Sequence, residues 1–307
     1  MGAAEKKKKR KVRAAGWIAL AALLLLSLML TLFPRPTGSW PAVFAGLDLS
    51  PVKNPEAPTV TFLDVGQGDS TLIRDGERAV LIDGGVSGED LVRALRIEGV
   101  GKLDMLIATH PHTDHIGGLA RAAEAFGAKS LVISTSPPVE EADLRCYDAL
   151  LDKMDALGVT LLHPTDGTVY DLGGIHLEIY APAPEAKEEN DRSLFVRACM
   201  GGGALLVTGD AGYAAEKALL ASGRDLSADI LKVGHHGGDT GSGDLFLHAV
   251  SPRWAVISVG ADNDYGHPAK ETLKRLQAAG ATICRTDTEG ALRFTAAEDD
   301  FVREDRQ

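Results

Sequence analysis

The run His110-Pro111-His112-Thr113-Asp114-His115 constrains this chain more than any other segment. It sets three imidazoles and a carboxylate within six residues, directly after the apolar stretch 103–108, which reads as a buried strand. Only nine histidines occur in 307 residues, so three in one hexapeptide at a strand end point to a shared task. In an extended segment side chains two apart face the same way, so His110 and His112 can share one cation. Asp114 and His115, on the turn that follows, then face a second cation. Imidazole with carboxylate is the donor mix of Zn2+, Mn2+ or Fe sites. The expectation is two divalent metal ions, Zn2+ or Mn2+.

Two further donors recur in the same setting. Asp210 follows the apolar run 205–207 and Thr208-Gly209. A carboxylate there can bridge two metals, or else cap a helix predicted over 211–221. His235 follows the apolar run 230–234, while its neighbour His236 is ambiguous because adjacent side chains of an extended run diverge.

The surrounding pattern is that of one sizeable α/β domain. Strands are predicted at 60–65, 70–74 and 79–82 (a hairpin over Asp75-Gly76), 103–108, 131–133 and 159–162. More follow at 175–180, 194–198, 204–208, 229–233, 254–259, 282–285 and 291–294. Helical periodicity covers 91–97, 118–126, 143–157, 211–221 and 270–279. Two comparable halves of this kind fit two sheets packed face to face with helices outside, and 34 glycines suit the many tight turns. Cys146, Cys199 and Cys284 are far apart, with no CxxC spacing; they read as small apolar residues, with one disulfide conceivable in an exported domain.

Charge is uneven along the chain. Seven Lys or Arg against one acid lie within the first 13 residues, leaving 25 basic and 42 acidic residues beyond them, a net of −17 against −11 for the whole chain. A domain this acidic does not bind nucleic acid by bulk electrostatics; a phosphate substrate would have to be captured by metal. Residues 16–33 are uncharged and Leu-rich, and eighteen residues of helix reach about 27 Å, enough for a bilayer core. Basic residues before the span put the N-terminus in the cytoplasm and the domain outside. The expected organisation is a basic segment over 1–15, an N-terminal apolar helix over 16–33, a proline-rich linker over 34–58, the catalytic domain over 59–296 and an acidic tail over 297–307. An uncleaved anchor in the cell membrane is favoured over secretion after cleavage at Ala45.

The motifs together resemble the metallo-β-lactamase superfamily and, more narrowly, the extracytoplasmic hydrolase domain of the ComEC/Rec2 competence proteins. The strings that carry the resemblance are Phe62 to Ser70 (FLDVGQGDS), Leu81 to Gly85 (LIDGG), Thr109 to Gly118 (THPHTDHIGG), Ser193 to Val196 (SLFV), Thr208-Gly209-Asp210, and Leu231 to Gly237 (LKVGHHG). Ser258-Val259-Gly260 with Asn263, Tyr265, Gly266, His267 and Pro268 is similar too. The resemblance implies a four-layer αββα sandwich with metals at one edge between the sheets. It implies metal ligands His110, His112, Asp114, His115, Asp210 and His235. The superfamily's further histidine between the first cluster and Asp210 is missing, and Asn190 or Ser193 is expected near that place. His176 lies too early in the strand order to replace it. Gly238 stands where the subgroup commonly has Ser.

The function so implied is hydrolysis by metal-bound hydroxide, with Asp114 orienting the nucleophile or taking its proton. His267 would contact the scissile phosphate or the leaving group, and Asp64, Gln67, Asp69, Asp83 and His236 would support the site or the substrate. The first reading is an extracytoplasmic phosphodiesterase or nuclease of the competence (DNA uptake) type, acting on a phosphodiester such as single-stranded DNA. The second is hydrolysis of another ester, such as a phosphocholine ester or lactone. The third is a non-catalytic partner of a separate DNA uptake channel. One apolar span cannot itself form a translocation pore.

Overall fold

The computed structural model of the protein describes residues 51–181, 186, 188–298 and 300–304. The expected apolar helix over 16–33, the basic segment and most of the linker lie outside the described residues. Among the described residues no helix is long and apolar enough to cross a membrane.

Among the described residues fifteen strands form two sheets. The first, of eight strands, has the order β15-β14-β1-β2-β3-β4-β5-β6, and the second, of seven, the order β13-β12-β11-β10-β9-β8-β7. In the first sheet lie β1 (Thr59–Phe62), β2 (Thr71–Asp75), β3 (Arg78–Ile82), β4 (Met105–Ile107), β5 (Ser130–Val132), β6 (Thr160–Leu162), β14 (Leu292–Ala297) and β15 (Asp300–Arg303). In the second lie β7 (Thr168–Leu172), β8 (Ile175–Tyr180), β9 (Phe195–Met200), β10 (Gly203–Val207), β11 (Ile230–Lys232), β12 (Trp254–Ile257) and β13 (Thr282–Arg285).

The period of two along each strand sorts its residues into layers. Val60, Phe62, Ile73, Val80, Ile82, Met105 and Ile107 of the first sheet share one buried cluster with Leu177, Val196, Leu205, Val207, Ile230 and Val256 of the second. The alternate residues Leu72, Leu81 and Leu106 face outward and are covered by α1 (Gly88–Ile97), α3 (Leu119–Phe126) and α4 (Glu141–Leu157). On the far side Leu206, Leu231, Ala255 and Ile257 are covered by α5 (Tyr213–Ala221), α6 (Asp244–Val250) and α7 (Lys270–Ala278). Two short helices, α2 (Thr113–Ile116) and α8 (Thr286–Glu289), complete the set. The αββα sandwich is therefore present.

This layering aims the functional loops. Strands β3 to β6 run parallel, as do β10 to β13. Their helical crossovers return the chain each time, so the carboxyl ends of β3, β4, β10, β11 and β12 open on one edge, where ligand sites of parallel sheets form. Several elements escape the sequence pattern. Strand β7 is a half-exposed edge strand, and α6 has only seven residues. Residues 300–303, expected as tail, pair with β14 because Phe301 is driven fully under the sheet. All three cysteines are free thiols.

Candidate metal centre

Six strand-end loops meet at that edge, those after β1, β3, β4, β10, β11 and β12. The backbone amides of Asp69 and Gly84 donate to the carbonyls of Asp114 (3.1 Å) and His115 (2.6 Å), locking helix α2 against the loops after β1 and β3. Such close approach demands glycine: a Cβ on Gly118 would collide with the Gly84 carbonyl, and one on Gly68 with that of Asp114. The N-terminus of α2 is capped from another element, since Asp143 of α4 accepts both the amide (2.8 Å) and the hydroxyl (2.6 Å) of Thr113.

Around Asp210 the donors converge. His115 Nε2 lies 3.3 Å from Asp210 Oδ1, and His110 Nε2 lies 3.9 Å from Oδ2. His236 Nε2 lies 3.1 Å from Asp114 Oδ2 and 3.7 Å from Asp210 Oδ2. One cluster thus combines His110, His115 and Asp210, and a second Asp114, His115 and His236, with donor atoms in each within 4.8 Å of one another. Asp210 is not a helix cap; α5 starts later, with Gly212 at its cap position. The hydroxyl of Ser193 accepts the Asp210 amide at 3.1 Å and so fixes that carboxylate's backbone.

The outer face of each imidazole is held by protein. His115 Nδ1 donates to Asp83 Oδ2 at 2.9 Å. The Thr109 hydroxyl donates to the same oxygen at 2.7 Å and is 3.2 Å from His110 Nδ1. His236 Nδ1 donates to the Ser258 carbonyl at 2.9 Å and is 3.2 Å from Asp69 Oδ1. Asp69 is itself ion-paired at 2.6 Å with Lys232, whose side chain is fully buried. A third acid-rich group, Asp69, Asp83 and His115, is this supporting layer, its carboxylates already engaged. With each Nδ1 engaged by a protein group, each Nε2 is turned toward the centre. His110 Nε2, His115 Nε2 and Asp210 Oδ1 are buried there without a hydrogen-bond partner, a costly arrangement that divalent cations would satisfy. The donor set fits the metal pair the sequence implies.

Electrostatics agree with that fit. Burial opposes ionisation of Asp210, yet His115 and His236 overcome it and hold this carboxyl well below its usual range. Burial likewise works against a charge on His236, but Asp210 and Asp69 push its pKa up to about 10. His115 is raised for the same reason, by Asp210, Asp83 and Asp114 over the cost of burial. His110 goes the other way, lowered by burial and by the neighbouring His115. Asp210 and the imidazoles of His115 and His236 thus hold one another charged across the pocket.

The remaining expected residues divide sharply. His235 is in neither of these clusters: its Nε2 lies 3.9 Å from Asp210 Oδ2, and its Nδ1 is bonded to the Thr240 hydroxyl at 2.8 Å. The segment is not extended, because His235 and His236 both adopt left-handed conformations (φ 51° and 52°). That turn places His236 inward and His235 at the rim, reversing the order expected of a strand. His112 is also at the rim, its ring 4.5 Å from that of His110. Asn190 lines the opening, with its Oδ1 buried and unpartnered. His267 stacks on His236 (6.4 Å between centroids) and on Tyr265 (5.8 Å), and Asn263 brackets its backbone with two hydrogen bonds. Burial and the nearby His235 and His236 lower its pKa. Gln67 touches the site's rim through Gly260, whose amide it accepts at 3.0 Å. Asp64 is not brought in; it is exposed and accepts the Gly66 amide at 3.3 Å. His176 is remote, paired with Asp171 on an edge strand.

Sequence reasoning passes over Glu189. Its Oε1 accepts the Val139 amide at 2.6 Å, and its Oε2 lies 3.7 Å from His112 Nε2. It faces the side of the centre where no third histidine stands, and only the lack of one points there.

Comparisons with known proteins agree with this geometry. The profile of the metallo-beta-lactamase superfamily matches residues 63–261. "Competence protein ComA" of Neisseria gonorrhoeae is 32% identical over 92% of this chain, which spans 39% of that protein. "ComE operon protein 3" of Bacillus subtilis is 30% identical over 76% of this chain and 32% of its own length. The chain thus spans well under half of these relatives. Among solved structures, the metallo-beta-lactamase fold protein YhfI from Bacillus subtilis superposes with a TM-score of 0.52 at 15% identity, covering 77% of this chain and 99% of that one. The chain belongs to the metallo-β-lactamase superfamily.

Proposed function

We propose that this metallo-β-lactamase superfamily member is an extracytoplasmic phosphodiesterase of the DNA-uptake class, acting through two divalent cations, Mn2+ or Zn2+. The observation that carries the reading is the convergence of His110 Nε2, His115 Nε2 and Asp210 Oδ1, buried without a hydrogen-bond partner, next to a second cluster of Asp114, His115 and His236. His110, His112 and Asp210 would hold one cation, and Asp114, His115, His236 and Asp210 the other. Divalent cations, when bound, lower the pKa of water to roughly 7 and neutralise phosphate charge. Asp114 is kept ionised by His115 and His236 against the cost of burial, so it can accept a hydrogen bond from the attacking water and orient it. His267 lines the opening, where its ring would meet a phosphoryl or leaving-group oxygen. The relatives' competence names favour a nucleic-acid strand, and the basic and apolar N-terminal segments favour placement outside the membrane. A non-catalytic partner role is disfavoured, since it needs no such donor set.

The acidic walls and exposed tyrosines of the opening also suit a quaternary ammonium, so a phosphocholine ester is the second reading. Hydrolysis of bis-p-nitrophenyl phosphate, single-stranded DNA and p-nitrophenylphosphocholine, with Mn2+ and Zn2+ in parallel, separates the two. Diester and DNA cleavage that falls away in His112→Ala is the expected result. A chain that binds two metals and cleaves neither would end the phosphodiesterase reading.

A further inference from the structure

Two cavities, of about 570 and 500 Å³, open beside the centre. His112, Glu189, Asn190, Asp210 and His235 line both, so these residues form the partition between them. Each cavity carries an exposed tyrosine: Tyr213 on one side (45% exposed) and Tyr265 on the other (72%). An exposed valine accompanies each, Val139 beside Tyr213 and Val86 beside Tyr265. Among the described residues neither lining contains a lysine or arginine, while both contain several acids.

Both rings are held in place. The Tyr213 hydroxyl donates to the Asp239 carbonyl at 2.8 Å, and the Arg275 guanidinium lies 5.8 Å from the ring centroid. Tyr265 stacks on His267 at 28° between planes. Exposed aromatic rings fixed from behind lose little freedom when a ligand stacks on them.

A polyanion entering acidic walls gains nothing from the walls' charge. Its affinity must come from the metals at the scissile phosphate and from contacts with groups other than phosphate. We infer that Tyr213 and Tyr265 are base-stacking platforms on opposite sides of the metal centre, so that a single-stranded nucleic acid is gripped through the bases flanking the cleaved bond. This rests on the phosphodiesterase reading for its choice of ligand. A duplex, whose bases are already stacked, is excluded by the same contacts. Each stack contributes about 1–3 kcal/mol, equivalent to roughly 5- to 150-fold in affinity.

The test compares fluorescein-labelled, hydrolysis-resistant phosphorothioate hexamers, either thymidylate or fully abasic, binding to the Mn2+-loaded full chain by anisotropy. The thymidylate hexamer should bind more tightly, and Tyr213→Ala or Tyr265→Ala should each remove roughly 5- to 150-fold of that preference. Tyr213→Phe and Tyr265→Phe should retain most of it, because the ring remains. The salt dependence should be shallow, with a log–log slope no steeper than about −1.5, as for two phosphates neutralised. A uridylate hexamer tells whether DNA is preferred over RNA on the same platforms. Equal binding of base-bearing and abasic hexamers, or a steep salt slope, would overturn the inference, as would tighter binding of phosphocholine than of the hexamer. Hydrolysis of bis-p-nitrophenyl phosphate by the same preparation tests the phosphodiesterase reading separately. A chain that cleaves the small diester but ignores bases loses only the platforms.

Discussion

The two halves of the metal centre are built differently. Around His236 and Asp114 every outer contact is closed: His236 is backed by Ser258 and Asp69, Asp69 by buried Lys232, and His115 by Asp83. Around His112 and His235 the centre is open, and the partners are rim groups, Glu189 for one and Thr240 for the other. A side closed by charged partners in a dry interior is preorganised, whereas an open side yields to substrate and solvent. The difference teaches that, of the two cations proposed, one would find a prepared seat and the other a seat completed at the rim.

Four substitutions would break or sharpen this contrast. Asp210 belongs to both halves, so Asp210→Ala should lower diester hydrolysis well beyond the 10–100-fold typical of a lost outer-shell contact and weaken both metals, as read by calorimetric titration. Lys232→Met strikes only the closed half and leaves Asp69 buried without its partner; denaturant unfolding should show a loss of about 3–5 kcal/mol. An unchanged unfolding midpoint would mean that the closed half is not held by that pair.

On the rim, Glu216 accepts the amides of Ser242 and Gly243 (3.0 Å for the latter), and so fixes the loop that presents Thr240 to His235. Burial raises its pKa from 4.5 to about 7. Because the folded value is the higher, its favourable contribution is complete below about pH 4.5 and fades as pH rises through 7. Relative to Glu216→Gln, the wild-type chain should lose roughly 2–3 kcal/mol between pH 4.5 and 8 in urea unfolding. A difference that stays flat across that range would contradict the burial argument. The smallest effect is expected of Asp83→Asn, which keeps the shape but weakens the grip on His115 Nδ1; metal affinity should drop about 10–100-fold with unfolding little changed.

Much of this is legible from strand patterns. Leu103 to Ala108 announces a buried strand, and the residues after it must emerge at its carboxyl end, so periodicity alone places His110, Asp114 and His115. Asp210 follows for the same reason after β10. The same logic does not describe the backbone at His235 and His236, because two consecutive left-handed residues break the alternation that periodicity assumes. Glu189 is hidden because it acts across the fold, on His112, from a segment without regular pattern. Asp64 shares a motif with Asp69 but points to solvent, since side chains of one loop need not share a face. Strand β15 sits in an acidic tail whose one buried apolar residue, Phe301, is too little for a pattern.

Titration of the metal-free full chain with Mn2+, followed by electron paramagnetic resonance, tests the central claim most directly. The account predicts two sites of unequal affinity, with His236→Ala abolishing the tighter one and His112→Ala weakening only the other. Two equal sites, or a His236→Ala chain that keeps its tight site while His235→Ala loses it, would contradict it.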